Sequence, residues 1–259
     1  MSTILFDQIV FGPIISRRLG VSLGVNLLLT NGKVCSFNCI YCECGLNEER
    51  RAQGKLPTRQ QVYDALKAKL EQLTEEKVTP DVITFAGNGE PTVHPEFAGI
   101  IDDTIELRNA YFPNAKISVL SNATRIDRDS VVEALKKVDN NILKLDSMLD
   151  DKMRLINAPN SPSFSVEKLI PLLKRFDGKL IIQTMFLKGT CNGVSVDNTS
   201  AKEVELWLNA LKEIKPQSVM IYTIDRETPI KELQKASKEV LDSIAEKVKE
   251  AGFEVSVSY

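Results

Sequence analysis

The feature that most constrains the fold of this chain is a regular alternation of short apolar segments with longer amphipathic ones. The apolar segments have the length of β-strands, and the others repeat apolar residues every three or four positions, as one face of a helix does. Six strands are predicted, at 25–29, 82–86, 117–120, 142–145, 180–186 and 218–224. Strands that alternate with helices form parallel sheets with right-handed crossovers. The pattern predicts an α/β fold, either an open, barrel-like sheet or a doubly wound one, because a closed barrel needs eight units.

The predicted helices and chain ends complete this organisation. Helices are predicted at 59–73, with Thr58 as N-cap, and at 97–108, 129–137, 150–156, 166–176, 201–214 and 230–251. The segment 253–258 alternates apolar and polar residues and predicts an edge strand. We expect one domain over residues 1–259, with an N-terminal extension at 1–22 and a C-terminal helix and edge strand at 230–259. The loops 157–162 and 191–197 are expected to be the most mobile.

Composition excludes several classes of protein. The chain has 259 residues, a net charge of −2, five cysteines and one histidine. Balanced charge gives no general attraction to nucleic acid or to anionic membranes. The odd, unevenly spaced cysteines argue against a disulfide framework and favour a reducing compartment. No targeting segment or bilayer-length apolar run is visible, so a cytoplasmic protein without a membrane contact, and monomeric, is expected.

Three of the cysteines lie within eight residues and form a CxxxCxxC loop after the first predicted strand. These cysteines are Cys35, Cys39 and Cys42. Three thiolates so close in the chain suggest one soft metal centre. A structural zinc site would need a fourth ligand, and an iron–sulfur carrier normally has four cysteines. Three cysteines on a four-iron cube leave one iron open to an exogenous ligand, which implies chemistry at the cluster.

Polar residues follow the other predicted strands, and the carboxyl ends of parallel strands meet at one rim. They are the turn Gly87, Asn88, Gly89, Glu90 and Pro91, then Ser121, Asn122, Lys144, Asp146, Gln183, Asp225 and Arg226. Glycines in such a turn let the backbone approach a ligand closely. Lys144 and Asp146 share one strand face, so they either pair with each other or contact a ligand. Ser121 and Asn122 fit a turn or N-cap as well as a ligand contact.

The cysteine loop, with the aromatic Tyr41 before its third cysteine, resembles the signature of radical S-adenosylmethionine enzymes. The segments FGP-x-x-SRRLG, CSFNCIYC, GNGEPTVHPEF, LSNAT, KLD, IQTMF and TIDR together resemble one subgroup. That subgroup contains the tRNA wybutosine-synthesising (imidazoline-forming) enzymes. The chain departs from them because no cysteine precedes Cys35, so their second cluster has no ligands here.

The resemblance implies a partial (β/α)6 TIM-like barrel that holds one 4Fe–4S cluster and S-adenosylmethionine. The open iron would bind the methionine part of S-adenosylmethionine, and reductive cleavage would give a 5′-deoxyadenosyl radical that abstracts hydrogen from a substrate. By this resemblance the turn 87–91 binds the amino group, and Glu90 receives it. Ser121 and Asn122 bind ribose, Lys144 and Asp146 bind ribose or carboxylate, and Gln183 and Met185 lie around adenine. Tyr41 is also expected to contact the cofactor, and a flavodoxin or ferredoxin to supply the electron.

The substrate stays open at this point. RNA modification is one alternative, although the neutral charge counts against nucleic acid. Peptide or protein modification, including glycyl-radical activation, is a second, and a non-enzymatic iron–sulfur redox module is a third. Arg17 or Arg18 would contact a substrate anion or form a surface ion pair. Cys44 and Cys191 are expected to be loop thiols, Cys191 alternatively a hydrogen-atom donor, and His94 is expected to anchor the start of a helix.

Overall fold

A computed structural model describes residues 4–16 and 19–259 of the chain. Its strands are β1 (Val10–Ser16), β2 (Gly20–Val25), β3 (Val82–Phe85), β4 (Lys116–Ser121), β5 (Asn140–Lys144), β6 (Ile181–Met185), β7 (Leu187–Cys191), β8 (Val194–Asp197), β9 (Ser218–Tyr222), β10 (Leu233–Lys235) and β11 (Val255–Ser258). Its helices are α1 (Arg59–Glu75), α2 (Phe97–Tyr111), α3 (Asp129–Lys136), α4 (Asp150–Asn157), α5 (Val166–Lys174), α6 (Ala201–Ile214) and α7 (Lys238–Glu250).

The main sheet has eight strands in the order β1-β2-β3-β4-β5-β6-β9-β11. The six central strands, from β2 to β9, are parallel, and β11 adds a seventh parallel strand beside β9. Only β1 runs antiparallel, as a hairpin with β2. The sheet curls into a half-barrel, so the prediction of a partial (β/α)6 barrel with parallel strands is confirmed, and the doubly wound alternative is wrong.

The hydrophobic core lies between the sheet and the helices. Alternate residues of each strand, such as Leu23, Ile83 and Val119, are fully buried there, together with Trp207 of α6. The opposite side chains of the same strands point into the half-barrel, because successive strand residues face opposite sides. The inner face of the sheet can therefore carry polar side chains, and some of these belong to the candidate functional site.

Local sequence signals explain several helix boundaries. Thr58 caps α1, its hydroxyl accepting from the Gln61 N–H while the Gln61 side chain reaches back to the Thr58 N–H. His94 anchors the start of α2, as predicted, because its Nδ1 accepts from the Glu96 N–H at 3.1 Å. No helix in the described ranges is long and apolar enough to cross a membrane.

The first predicted strand is displaced in the structure. Residues 25–29 were expected to form it, but β2 ends at Val25 and begins at Gly20, inside the predicted extension 1–22. Asn26 ends the strand because its side-chain oxygen accepts from the Leu28 N–H at 3.2 Å, which turns the chain. The next apolar residues, Leu27 and Leu28, are buried in a loop. Their apolar character therefore reflects burial and not strand pairing.

Two further expectations are wrong. The segment 191–197 is not a loop, because Asn192 and Gly193, both at positive φ, form the tight turn of the β7–β8 hairpin. The helix predicted at 230–251 begins only at Lys238, where Ser237 accepts from the Val240 N–H. The residues before it form β10, which pairs with β7 to complete a three-stranded side sheet. Arg17 and Arg18 lie outside the described residues.

Candidate functional site

The cysteine loop leaves β2 and lies between two other segments. On one side, Val34 bridges the turn after β3: its N–H donates to the Asn88 carbonyl at 2.8 Å, and its carbonyl accepts from the Glu90 N–H at 3.1 Å. On the other side, the loop bonds to the end of α4, with the Ile40 N–H donating to the Ile156 carbonyl at 3.0 Å. These contacts join three distant segments around the three cysteines.

Each cysteine of the loop has a hydrogen-bond donor directed at its sulfur. Asn122 Nδ2 lies 3.6 Å from Cys35 Sγ, and Asn157 Nδ2 lies 3.5 Å from Cys39 Sγ. Cys42 accepts from the ammonium of Lys33, and Cys44 lies beside it, its own thiol donating to the Gly87 carbonyl at 3.6 Å. Donors directed at sulfur stabilise thiolate rather than thiol, and hydrogen bonds of this kind tune cysteine-bound clusters.

Burial makes two of these thiols weaker acids than a free cysteine, whereas the third is a stronger one. Burial raises the pKa of Cys35 to about 12 and that of Cys39 to about 11. The pKa of Cys42 falls to about 6, chiefly because of its contact with the Cys44 side chain and because the Lys33 charge is near. Without a metal the Cys35 and Cys39 thiols keep their protons, and a bound cation takes the place of those protons.

Lys33 is a site residue that motif reasoning missed. Its side chain is only 5% exposed, and Nζ donates to the Gly45 carbonyl at 2.8 Å. Burial opposes its charge, but the surrounding Cys42, Cys35 and Cys39 raise its pKa. A lysine held charged under three cysteines stabilises their thiolate forms. The sequence signal that could have identified Lys33 is its position two residues before Cys35.

The site fits a cluster of several irons by the chemistry of its donors. The three candidate ligands all offer sulfur, and soft thiolates favour iron–sulfur clusters over hard cations. Among residues 4–16 and 19–259, no three side chains of His, Cys, Asp or Glu are arranged to hold one metal ion. The cysteines of a cube each bind a different iron, so their sulfurs lie farther apart than ligands that share one ion. The residues present therefore fit a 4Fe–4S cluster.

The turn after β3 is shaped by its second glycine. Gly89 has φ +136°, and a Cβ on it would lie 1.9 Å from the Val34 carbonyl oxygen. Only glycine permits this approach. The Asn88 side chain is fully buried and bonds to the main chain of Phe6 and Leu29, so it secures the N-terminal segment. Gly87 borders a cavity on the inner face of the sheet, and Pro91 opens a single 3-10 turn.

Glu90 is buried, and its carboxylate is held by neighbouring donors. It accepts from the Thr92 N–H at 3.0 Å, the Ser121 hydroxyl at 2.8 Å and the Asn122 N–H at 2.6 Å. Burial raises the pKa of Glu90. The carboxylate thus ties the turn after β3 to the end of β4. Asn122, in turn, donates to Ser36 at 2.9 Å beside Cys35.

Lys144 and Asp146 pair with each other at the end of β5, with Nζ and Oδ2 3.7 Å apart. Tyr41 donates its hydroxyl to the same carboxylate, as does Asn157 Nδ2 at 2.7 Å. Lys144 Nζ also donates to the Tyr222 hydroxyl at 3.1 Å. Burial opposes the Lys144 charge, yet Asp146 raises its pKa. The resulting polar network reaches Cys39 through Asn157, whose Nδ2 lies 3.5 Å from Cys39 Sγ.

The structure separates Gln183 from Met185. Met185 packs in the apolar cluster that contains the cysteine loop, and its N–H donates to Asp146 at 2.9 Å. Gln183, two residues earlier on β6, lines the cavity inside the half-barrel. Cys191 packs in the same apolar cluster as Cys39, at the end of β7. Motif reasoning missed Asn157 and Tyr222 because neither is a polar residue that follows a predicted strand: Asn157 ends α4, and Tyr222 is an aromatic residue inside the strand predicted at 218–224.

Arg226 pairs with Glu43 at 2.6 Å, beyond the last cysteine of the motif. The Glu43 carbonyl also accepts from the Ile4 N–H at 3.0 Å. The N-terminal segment and the loop after β9 therefore both contact the end of the cysteine loop.

Comparison with known proteins identifies the family. Residues 32–192 match the model of the Radical SAM superfamily. A UPF0026 protein of Helicobacter pylori is 30% identical over 236 residues, which cover 90% of this chain and 71% of that protein.

Solved structures share the fold. Streptococcus suis SuiB bound to S-adenosylmethionine aligns with a TM-score of 0.64 at 15% identity over 90% of this chain, and the chain spans 50% of the length of SuiB. TYW1 with a lysine–pyruvate adduct bound aligns with a TM-score of 0.61 at 15% identity over 88% of this chain and 73% of TYW1. This likeness of fold agrees with the resemblance to the wybutosine-synthesising enzymes. The chain belongs to the radical S-adenosylmethionine superfamily, and its cofactors are a 4Fe–4S cluster and S-adenosylmethionine.

Proposed function

We propose that Cys35, Cys39 and Cys42 hold the cluster and that this chain cleaves S-adenosylmethionine reductively to start a radical reaction of the oxidoreductase or lyase type. When bound, the cluster supplies the electron that breaks the sulfonium bond and releases a 5′-deoxyadenosyl radical, which removes hydrogen from the substrate. The observation that carries the proposal is the set of three cysteines, Cys39 buried and Cys35 and Cys42 half-buried, each with a donor near its sulfur. Such an arrangement suits three thiolate ligands.

The rim residues divide into those that face a ligand and those that orient others. We assign the main chain of Gly87 and the ammonium of Lys144 to the charged methionine part of S-adenosylmethionine. Glu90 and Ser121 are assigned a positioning role. Glu90 Oε1 already accepts three hydrogen bonds, from the Thr92 N–H, the Thr92 hydroxyl and the Ser121 hydroxyl. We assign the ribose and adenine parts of S-adenosylmethionine to the remaining residues, which are Asn122, Asp146, Tyr41 and Met185. A flavodoxin or ferredoxin is proposed as the electron donor.

The first prediction tests the activity itself. Anaerobic reconstitution with iron and sulfide should load about four irons per chain, the content of one cube. Addition of S-adenosylmethionine and dithionite should then yield methionine and 5′-deoxyadenosine, measured by chromatography. Bound zinc in place of iron, with neither product formed, would contradict the proposal.

A second prediction concerns Asn157, whose amide donates to Cys39. Hydrogen bonds to cluster sulfurs favour the reduced, more negative state. The variant Asn157→Leu should therefore lower the cluster reduction potential, measured by a redox titration followed by electron paramagnetic resonance. Asn160→Leu is the matched control, because Asn160 binds the Cys35 carbonyl at 3.0 Å and no sulfur. Equal potentials in both variants would remove the assigned role of Asn157.

A further inference from the structure

A cavity of about 270 Å³ lies on the inner face of the half-barrel, beside the cysteine loop. It is bounded by Cys44 and Gly87 at the end nearest the cysteines. Most of its wall is apolar and includes Phe11, Leu120 and Ile142. This volume lies just below the roughly 300–1,000 Å³ of pockets that take whole drug-sized ligands. The cavity therefore suits a group the size of one side chain.

The cavity is electrically neutral where the structure describes it. Its only charged lining residues among residues 4–16 and 19–259 are Glu43 and Arg226, and these pair with each other at 2.6 Å. The hydroxyls of Ser22 and Thr84 also bond to each other, at 2.8 Å. A carboxylate or phosphate entering this space would be desolvated without a free cation to balance it.

The side-chain amide of Gln183 is the polar group of the cavity that is left for a ligand to bind. The residue is 5% exposed, and within the described part of the chain its side-chain amide has no hydrogen-bond partner. The amide is not among the fully buried, unpartnered polar atoms of the described residues, so it faces the space of the cavity, where its hydrogen-bonding groups are available to a ligand. An amide offers one acceptor and two donors, which is complementary to another amide.

The wall opposite the central strands is formed by β1, which is an end strand of the main sheet. Its outer edge pairs with no strand in the described ranges. Ile14 and Ile15 of this strand line the cavity and are 47% and 90% exposed. An edge strand with exposed apolar side chains is a template for an added strand.

We infer that this cavity receives an uncharged apolar side chain of an extended polypeptide substrate, whose main-chain amide bonds to Gln183 and whose flanking residues pair along β1. The inference rests on the proposed function, because it places the reacting group beside the proposed cluster. A polypeptide offers all three complementary features: an apolar side chain, an amide and a strand edge. Nucleic acid is disfavoured, because its phosphates need cations that the described part of this surface does not present.

The test uses the reconstituted protein with S-adenosylmethionine and measures binding by ligand-detected NMR. The probes are leucine and glutamate, each with an acetyl and an N-methylamide cap, and uridine. Capped leucine should bind in the millimolar range and capped glutamate at least tenfold more weakly. Gln183→Leu should weaken the binding of capped leucine about fivefold, which corresponds to about 1 kcal/mol for one hydrogen bond. Gln60→Leu, on the exposed face of α1, should change nothing.

A second arm tests the strand edge. A capped pentapeptide, Ala-Ala-Leu-Ala-Ala, should bind more tightly than capped leucine, and Ile15→Asp should remove that gain. Ile15 is exposed, so this substitution leaves the core intact. The inference is overturned if capped leucine does not bind, if capped glutamate binds equally well, if Gln183→Leu has no effect, or if uridine binds in its place. Formation of 5′-deoxyadenosine is measured in the same samples: its loss in the parent protein refutes the proposed function, whereas its persistence without peptide binding refutes only this inference.

Discussion

Replacing Cys39 with serine should remove the bound iron and reduce 5′-deoxyadenosine formation by more than about 100-fold, because a ligand contributes at least as much as the outer-shell groups around a metal. Cys39 lies at the centre of the motif, and the donor on its sulfur, Asn157, also binds Asp146 and Tyr41. A hydroxyl at this position is a poor ligand for iron in a sulfur cluster. Iron content, visible absorption and product formation measure the loss.

The matched control is Cys191→Ser. Cys191 is as buried as Cys39 and belongs to the same apolar cluster, but it lies at the end of β7, outside the motif. This variant should keep its iron and its activity. Retention of iron by Cys39→Ser would show that the cluster lies elsewhere, and iron loss in both variants would indicate a general effect of polar substitution in the cluster.

Replacing Gly89 with alanine should have the largest effect on stability. The added Cβ would meet the Val34 carbonyl at 1.9 Å, and the backbone at φ +136° is one that side-chain-bearing residues rarely adopt. Steric overlap and backbone strain together should lower the free energy of unfolding by about 3 kcal/mol or more. For a chain of this size the melting temperature should fall by roughly 6–12 °C. Because Val34 precedes Cys35, iron loading should fall as well.

Gly193→Ala separates the two causes. Gly193 also has positive φ, at +77°, but nothing lies within 4 Å of the added Cβ. Strain alone should cost about 1–2 kcal/mol there and leave iron loading unchanged. Thermal unfolding and iron analysis of both variants measure the difference. Equal destabilisation of the two would mean that the contact with Val34 has no energetic consequence.

Much of the fold was predictable because its signals are local. The alternation of apolar segments located five of the six central parallel strands, and Thr58 located the start of α1. The errors also have local causes. Asn26 turned the chain one residue after β2, and the Asn192–Gly193 pair, a known hairpin signal, was read as a mobile loop. In each case a side-chain or turn preference outweighed the apolar pattern.

The candidate site was predictable only in part. Cys35, Cys39, Cys42 and the glycine turn after β3 lie in short motifs, so their spacing alone identifies them. Glu90 and Ser121 stay predicted cofactor contacts, and the structure adds that their side chains also bond to each other. The sequence could not show this, because the residues come from different strand ends and their separation depends on sheet register.

The sequence by itself determined the α/β architecture, the three clustered cysteines and the family, since all of these follow from residue spacing within short segments. The tertiary structure alone decided which side chains surround the cysteines and which space is left beside them. Lys33, Asn122 and Asn157 reach the sulfurs only because three loops are joined by main-chain hydrogen bonds. Gln183 faces a neutral cavity only because β1 folds along the edge of the curled sheet. Such contacts depend on long-range packing, which residue spacing within a short segment does not specify.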